Sequence, residues 1–113
     1  MITTHVLDTA RGRPAAGVPV RLDVLDADVW RTVGEAATDA DGRARSLVPA
    51  DLPLAAGTYR IRFDTGVYFE ATGVDGFYPY VEVVFAVANA GAGAHYHVPL
   101  LLSPFGYSTY RGS

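Results

Sequence analysis

In several short runs of this chain apolar and polar residues alternate strictly, and glycine or proline separates one run from the next. In residues 58–64, Tyr59, Ile61 and Phe63 fall on one parity and Arg60 and Arg62 on the other. Val18, Val20, Leu22 and Val24 alternate with Pro19, Arg21 and Asp23, and Val81, Val83, Phe85 and Val87 repeat the pattern. A period of two is that of a strand with one buried face, so these runs predict antiparallel sheet. Further strands are expected over residues 3–7, 30–38, 43–48, 94–102 and 107–111. Residues 67–73 predict one short helix, with Gly73 suited to its C-terminal end. About eight short strands, with a turn every ten residues or so, predict a β-sandwich. At 113 residues the chain is expected to form one domain, 1–113, large enough for a single core and too small for two.

Composition removes whole classes of function. Half of the residues are hydrophobic and 19% are charged, an ordinary globular balance. The formal net charge is −3, without a basic tract, which argues against nucleic acid as a partner because phosphate binding needs clustered positive charge. There is no cysteine, hence no disulfide, thiolate nucleophile or Cys-based metal site. All nine basic residues are arginine, so Schiff-base and pyridoxal phosphate chemistry lack their lysine. No apolar run approaches the ~20 residues that span a bilayer, and the opening Met1-Ile-Thr-Thr-His5 lacks the charge and apolar pattern of a signal peptide. No membrane partner is expected, and the cytoplasm is the expected location.

Three histidines are present, and two lie in His95-Tyr96-His97. A spacing of two puts both imidazoles on one face of a strand, while Tyr96, Val98, Leu100 and Leu102 take the other, core-facing side. His5 alternates in the same way against Thr4 and Val6. A histidine on a strand surface is usually no more than a solvated polar group, but His-X-His is also how many metal sites begin, and three histidines suffice for a catalytic zinc. Asp41-Gly42-Arg43 reads first as a hairpin turn; the arginine just past it could hold a carbonyl-rich or anionic ligand with its planar fork. An EF-hand loop, a Gly-X-Ser-X-Gly elbow and a phosphate-binding loop are all absent from the sequence.

Together these motifs resemble the transthyretin-like family, specifically its 5-hydroxyisourate hydrolase branch, over essentially the whole chain. His5-Val-Leu-Asp8 is similar to the family's N-terminal motif, Thr38-Asp-Ala-Asp-Gly-Arg43 to its central one, and Phe77-Tyr-Pro79 to a third. The ending from His95-Tyr-His97 through Tyr110-Arg-Gly-Ser113 is the most specific match, and it separates the hydrolases from the hormone-carrying transthyretins. The resemblance implies an all-β sandwich of two four-stranded sheets with one short helix. It also implies opening of the N1–C6 bond of 5-hydroxyisourate in urate breakdown. His5, Arg43, His97 and Ser113 are implied as catalytic residues, with His5, Arg43 and Tyr110 binding substrate and His95 as a possible addition. No cofactor and no metal are implied, and the assembly is a homotetramer, a dimer of dimers with its sites between dimers. Two alternatives stay open: a transthyretin-type carrier of a small ligand, and a zinc hydrolase built on His5, His95 and His97.

Overall fold

The computed structural model describes residues 1–49, 51–88 and 93–113. Among the described residues, nine strands and one helix follow one another in the order β1 (Ile2–Asp8), β2 (Arg13–Pro14), β3 (Pro19–Asp26), β4 (Val29–Ala37), β5 (Arg43–Ala44), β6 (Gly57–Phe63), α1 (Thr65–Thr72), β7 (Val81–Val87), β8 (Tyr96–Ser103) and β9 (Gly106–Thr109). One sheet runs β2-β1-β8-β9, with β5 also paired to β1; the other runs β4-β3-β6-β7. The expected sandwich is therefore present, with two-residue strands, β2 and β5, enlarging the first sheet. The helix begins two residues before the expected start, and Gly73 caps it in the left-handed conformation.

The alternation works as anticipated. Ile2, Val6, Leu100 and Leu102 from the first sheet meet Leu22, Ile61, Phe63 and Val81 from the second, and none is more than 1% exposed. Each such side chain contributes roughly 1.5–3 kcal/mol by leaving water. The helix is tied back to β1 by the Tyr68 hydroxyl, which donates to Asp8 Oδ2 at 2.7 Å. On the outer face of the second sheet the buried Asp23 accepts from Arg60 and Arg21, and Arg60 also lies over Trp30.

Two expectations about the first sheet need correction. β1 and β8 run parallel, Ile2 pairing with Tyr96 and Asp8 with Leu102, whereas the alternation had suggested antiparallel sheet throughout. Alternation reports which face is buried and carries no information on strand direction; no hairpin joins these two strands, so none dictates their sense. The strand expected over residues 107–111 ends at Thr109. Pro99 has no N–H to give, so the β8–β9 ladder breaks there, and it rejoins in the same register as a single bridge between His97 and Gly112.

Candidate active site

The outward face of the first sheet gathers most of the residues singled out in the sequence. Thr3 is paired with His97 across the parallel ladder, and His5 with Arg43 across the short β1–β5 pairing. The same face of β8 carries His95 and His97, as their spacing predicted. A cleft of about 280 Å³ is lined by Thr3, Arg43, Arg45, His95, His97 and Ser113. Tyr110 lies elsewhere, on a second hollow of about 240 Å³ between β7 and the C-terminal segment. His97 borders both hollows, so it is the residue that connects them.

Arg43 is placed by a tight turn. Asp39 Oδ1 accepts the N–H groups of Asp41 and Arg43 at 2.9 and 3.0 Å. Those bonds, that of Arg43 foremost, hold the Asp39 carboxyl below the usual carboxylate range. Gly42 has φ 76° and its Cβ would meet the Val6 carbonyl oxygen at 2.4 Å; only a glycine lets the turn press onto β1, where the Val6 N–H donates to the Gly42 carbonyl. The Asp-Gly-Arg turn of the sequence is thus both a structural turn and the mount of a site residue. Among the described residues, Arg21, Arg31, Arg60 and Arg62 each have a carboxylate within ion-pair distance. Arg43 and Arg45 have no carboxylate within that distance, although Asp39 in the turn interacts with both electrostatically; both line the cleft.

The histidines are held differently from one another. His5 Nε2 lies 2.8 Å from the Asp41 carbonyl; a carbonyl only accepts, so Nε2 carries the proton and Nδ1 of the neutral ring keeps its lone pair. His95 Nε2 and His97 Nδ1 both contact the Thr3 hydroxyl, at 3.1 and 2.8 Å. Burial pushes the His97 pKa below its usual value, and the electrostatic influence of Arg43, His95 and His5 acts the same way, against an opposing hydrogen bond with the Thr3 backbone. His97 is therefore neutral near pH 7, and its Nε2 has no hydrogen-bond partner among the described residues. This is the state of a general base.

Thr3 was not singled out in the sequence. The cue was available: it lies two residues before His5, on the same outward parity of β1. Pro99, on the same parity of β8 as His95 and His97, is nevertheless buried, its carbonyl accepting from Thr109 Oγ1 at 2.7 Å. The ligand set imagined for zinc does not converge: His5 is turned to Asp41 while His95 and His97 share Thr3. Among the described residues no three histidine, aspartate or glutamate side chains come together as a metal-ligand group.

A transthyretin-like sandwich with a histidine- and arginine-lined cleft on one outer face is the class that this geometry defines. The family model for the HIUase/Transthyretin family matches residues 2–112, and the chain belongs to that family. It is 50% identical to the 5-hydroxyisourate hydrolase of Caulobacter vibrioides, over 99% of this chain and 97% of that protein. It is 49% identical to the uric acid degradation bifunctional protein TTL of Arabidopsis thaliana, spanning 99% of this chain but only 37% of that longer protein. Among solved structures, Klebsiella pneumoniae 5-hydroxyisourate hydrolase superposes with a TM-score of 0.83 at 35% identity, covering 99% of this chain and 98% of the other. Sea bream transthyretin in complex with thyroxine superposes with a TM-score of 0.89 at 34% identity, covering 98% and 93%.

Proposed function

We infer that this chain hydrolyses 5-hydroxyisourate at its N1–C6 bond, yielding 2-oxo-4-hydroxy-4-carboxy-5-ureidoimidazoline in urate breakdown. The observation that carries this reading is a neutral His97 with a free Nε2, set beside an Arg43 with no carboxylate within ion-pair distance among the described residues, on a chain half identical to a named hydrolase along its whole length. His97 Nε2 takes a proton from water, and the resulting hydroxide attacks C6. The charge that develops on the carbonyl oxygen is offset by Arg43, whose planar fork also orients the flat, carbonyl-rich ring. His5, anchored through Nε2–H, keeps Nδ1 as an acceptor for water or substrate, and Ser113 lines the cleft. Tyr110 lines the adjoining hollow that His97 shares. The decisive experiment follows loss of the ultraviolet absorbance of freshly generated 5-hydroxyisourate. A rate no faster than spontaneous decay overturns the reading.

The chain assembles as a homotetramer, a dimer of dimers. Two features support this. β7 and β9 are each the last strand of their sheet, and an unpaired edge invites strand addition. Phe77, Tyr78, Phe105 and Tyr107 are exposed, with Tyr78 stacked edge-on against both Phe77 and Tyr107, an apolar patch of the kind that closed assemblies cover. Light scattering at micromolar concentration tests the assembly, and a monomer overturns it.

A further inference from the structure

One hydroxyl in this cleft serves two imidazoles, and this constrains where protons can go. Thr3 Oγ1 is 2.8 Å from His97 Nδ1 and 3.1 Å from His95 Nε2. A hydroxyl has one proton to give and two lone pairs to accept with, so Thr3 donates to at most one of the two rings. Where it donates to one and accepts from the other, the two tautomers are coupled. If Thr3 donates to His97, the His97 proton sits on Nε2 and that nitrogen cannot act as a base. If His97 Nδ1–H donates to Thr3, Thr3 donates in turn to His95 Nε2, and His97 Nε2 is left with its lone pair. Of these two arrangements, only the second is ready to activate water.

The three groups also differ in their access to solvent. Thr3 is buried, 7% exposed, His97 is half-buried and His95 is exposed. A positive charge created on His97 would sit in a partly buried place next to Arg43 and His5, whereas the same charge on His95 is solvated by water.

Resting on the hydrolase reading, we propose that Thr3 and His95 form a proton relay behind His97. When His97 Nε2 takes the proton of the attacking water, its Nδ1 proton passes to Thr3 Oγ1. The former Thr3 proton passes to His95 Nε2. His97 is then neutral with its proton on Nε2, and His95 is the imidazolium. When N1 departs from C6, His97 Nε2–H gives N1 its proton, and the chain runs in reverse: His95 Nε2–H returns to Thr3 and the Thr3 proton to His97 Nδ1. One proton has moved from water to the leaving nitrogen, the hydroxide has gone to C6, and every ring is back in its starting tautomer. Thr3 and His95 act through His97 and need not touch substrate.

The test compares kcat and KM, in light and heavy water, for the intact enzyme and for Thr3→Val, Thr3→Ser and His95→Gln. Valine keeps the shape of threonine without its proton, so the fold is preserved. Thr3→Val and His95→Gln are expected to lower kcat by about 10²-fold with KM little changed, the loss of one acid–base function. Thr3→Ser restores most of the rate. The dependence of kcat on deuterium fraction is expected to curve in the intact enzyme, as several protons move together, and to be linear in Thr3→Val. The relay is overturned if the intact enzyme turns over substrate with a linear dependence and Thr3→Val keeps kcat within about twofold, far short of the loss of an acid–base group. Absence of turnover by the intact enzyme would instead overturn the hydrolase reading itself.

Discussion

Gly112 lies so close to the imidazole of His97 that a Cβ added to it would stand 2.5 Å from His97 Cδ2 and 3.2 Å from Cγ. Its N–H donates to the His97 carbonyl at 2.8 Å, so backbone pairing and ring contact hold the same residue. Carbon atoms in contact prefer about 3.5–4.0 Å, and an alanine here must displace either the ring or the C-terminal segment. Gly112→Ala is expected to lower kcat by about 10²-fold, the scale of an ångström-sized misplacement of a catalytic group. Far-ultraviolet circular dichroism should be unchanged. Wild-type turnover by this variant would show that His97 is positioned without the tail.

His97→Ala and Arg43→Ala are each expected to reduce turnover by roughly 10²- to 10⁴-fold, since one removes a base and the other a charge-stabilising group. Neither side chain contributes to the core, so melting temperatures should stay close to that of the parent. Steady-state assays corrected for spontaneous decay, together with thermal melts, check both halves.

The pH profile follows from the lowered pKa of His97. A base must be unprotonated, so kcat/KM falls as pH drops through that pKa. Because the folded value lies below the ordinary 6.5, the enzyme should keep activity further into acid than an unperturbed histidine would allow. The linkage has a matching sign: the unfolded chain binds this proton more readily, so stability attributable to His97 is present above its unfolded pKa and lost as pH falls through the folded one. An acid limb centred above 6.5 would be inconsistent with His97 as the base.

Asp23 provides the control. It lies on the other sheet, buried, and its carboxyl is bonded to Arg60, Arg21 and Thr32. Burial alone would raise its pKa, but these partners bring it below the usual carboxylate value. Asp23→Ala takes a buried partner from two guanidiniums and should cost about 3 kcal/mol, the low end for breaking a buried pair, because Arg60 keeps Glu82 and both arginines reach solvent. Denaturant melts should show that loss while kcat at 25 °C stays unchanged.

The sequence made some of this legible and concealed the rest for definable reasons. The outward direction of His5, His95 and His97 followed from spacing alone, and the Asp-Gly-Arg turn from its residue types. The contribution of Thr3 was concealed because a small hydroxyl residue on a strand has no distinctive pattern; its meaning depends on which residue faces it across the ladder. That partner, His97, lies 94 positions away on a strand whose direction alternation does not encode. The covering of Pro99 was hidden for the same reason, since it depends on where the chain goes after β9. The missing N–H of Pro99 was visible, and it marks the place where the ladder pauses.

The parallel pairing of β1 with β8 also bears on how the molecule is made. During synthesis β1 must wait for β8, its seven-residue ladder partner far along the chain. At ~5–20 residues per second, the 94 positions between Thr3 and His97 correspond to a wait of roughly 5–20 s. During that interval the second sheet can form from strands already synthesised, while β1 stays without its main neighbour. Thr3, His5, Arg43, His95 and His97 come together only when β8 joins β1. A nascent chain therefore has no assembled cleft, and activity begins as one late event rather than growing with chain length.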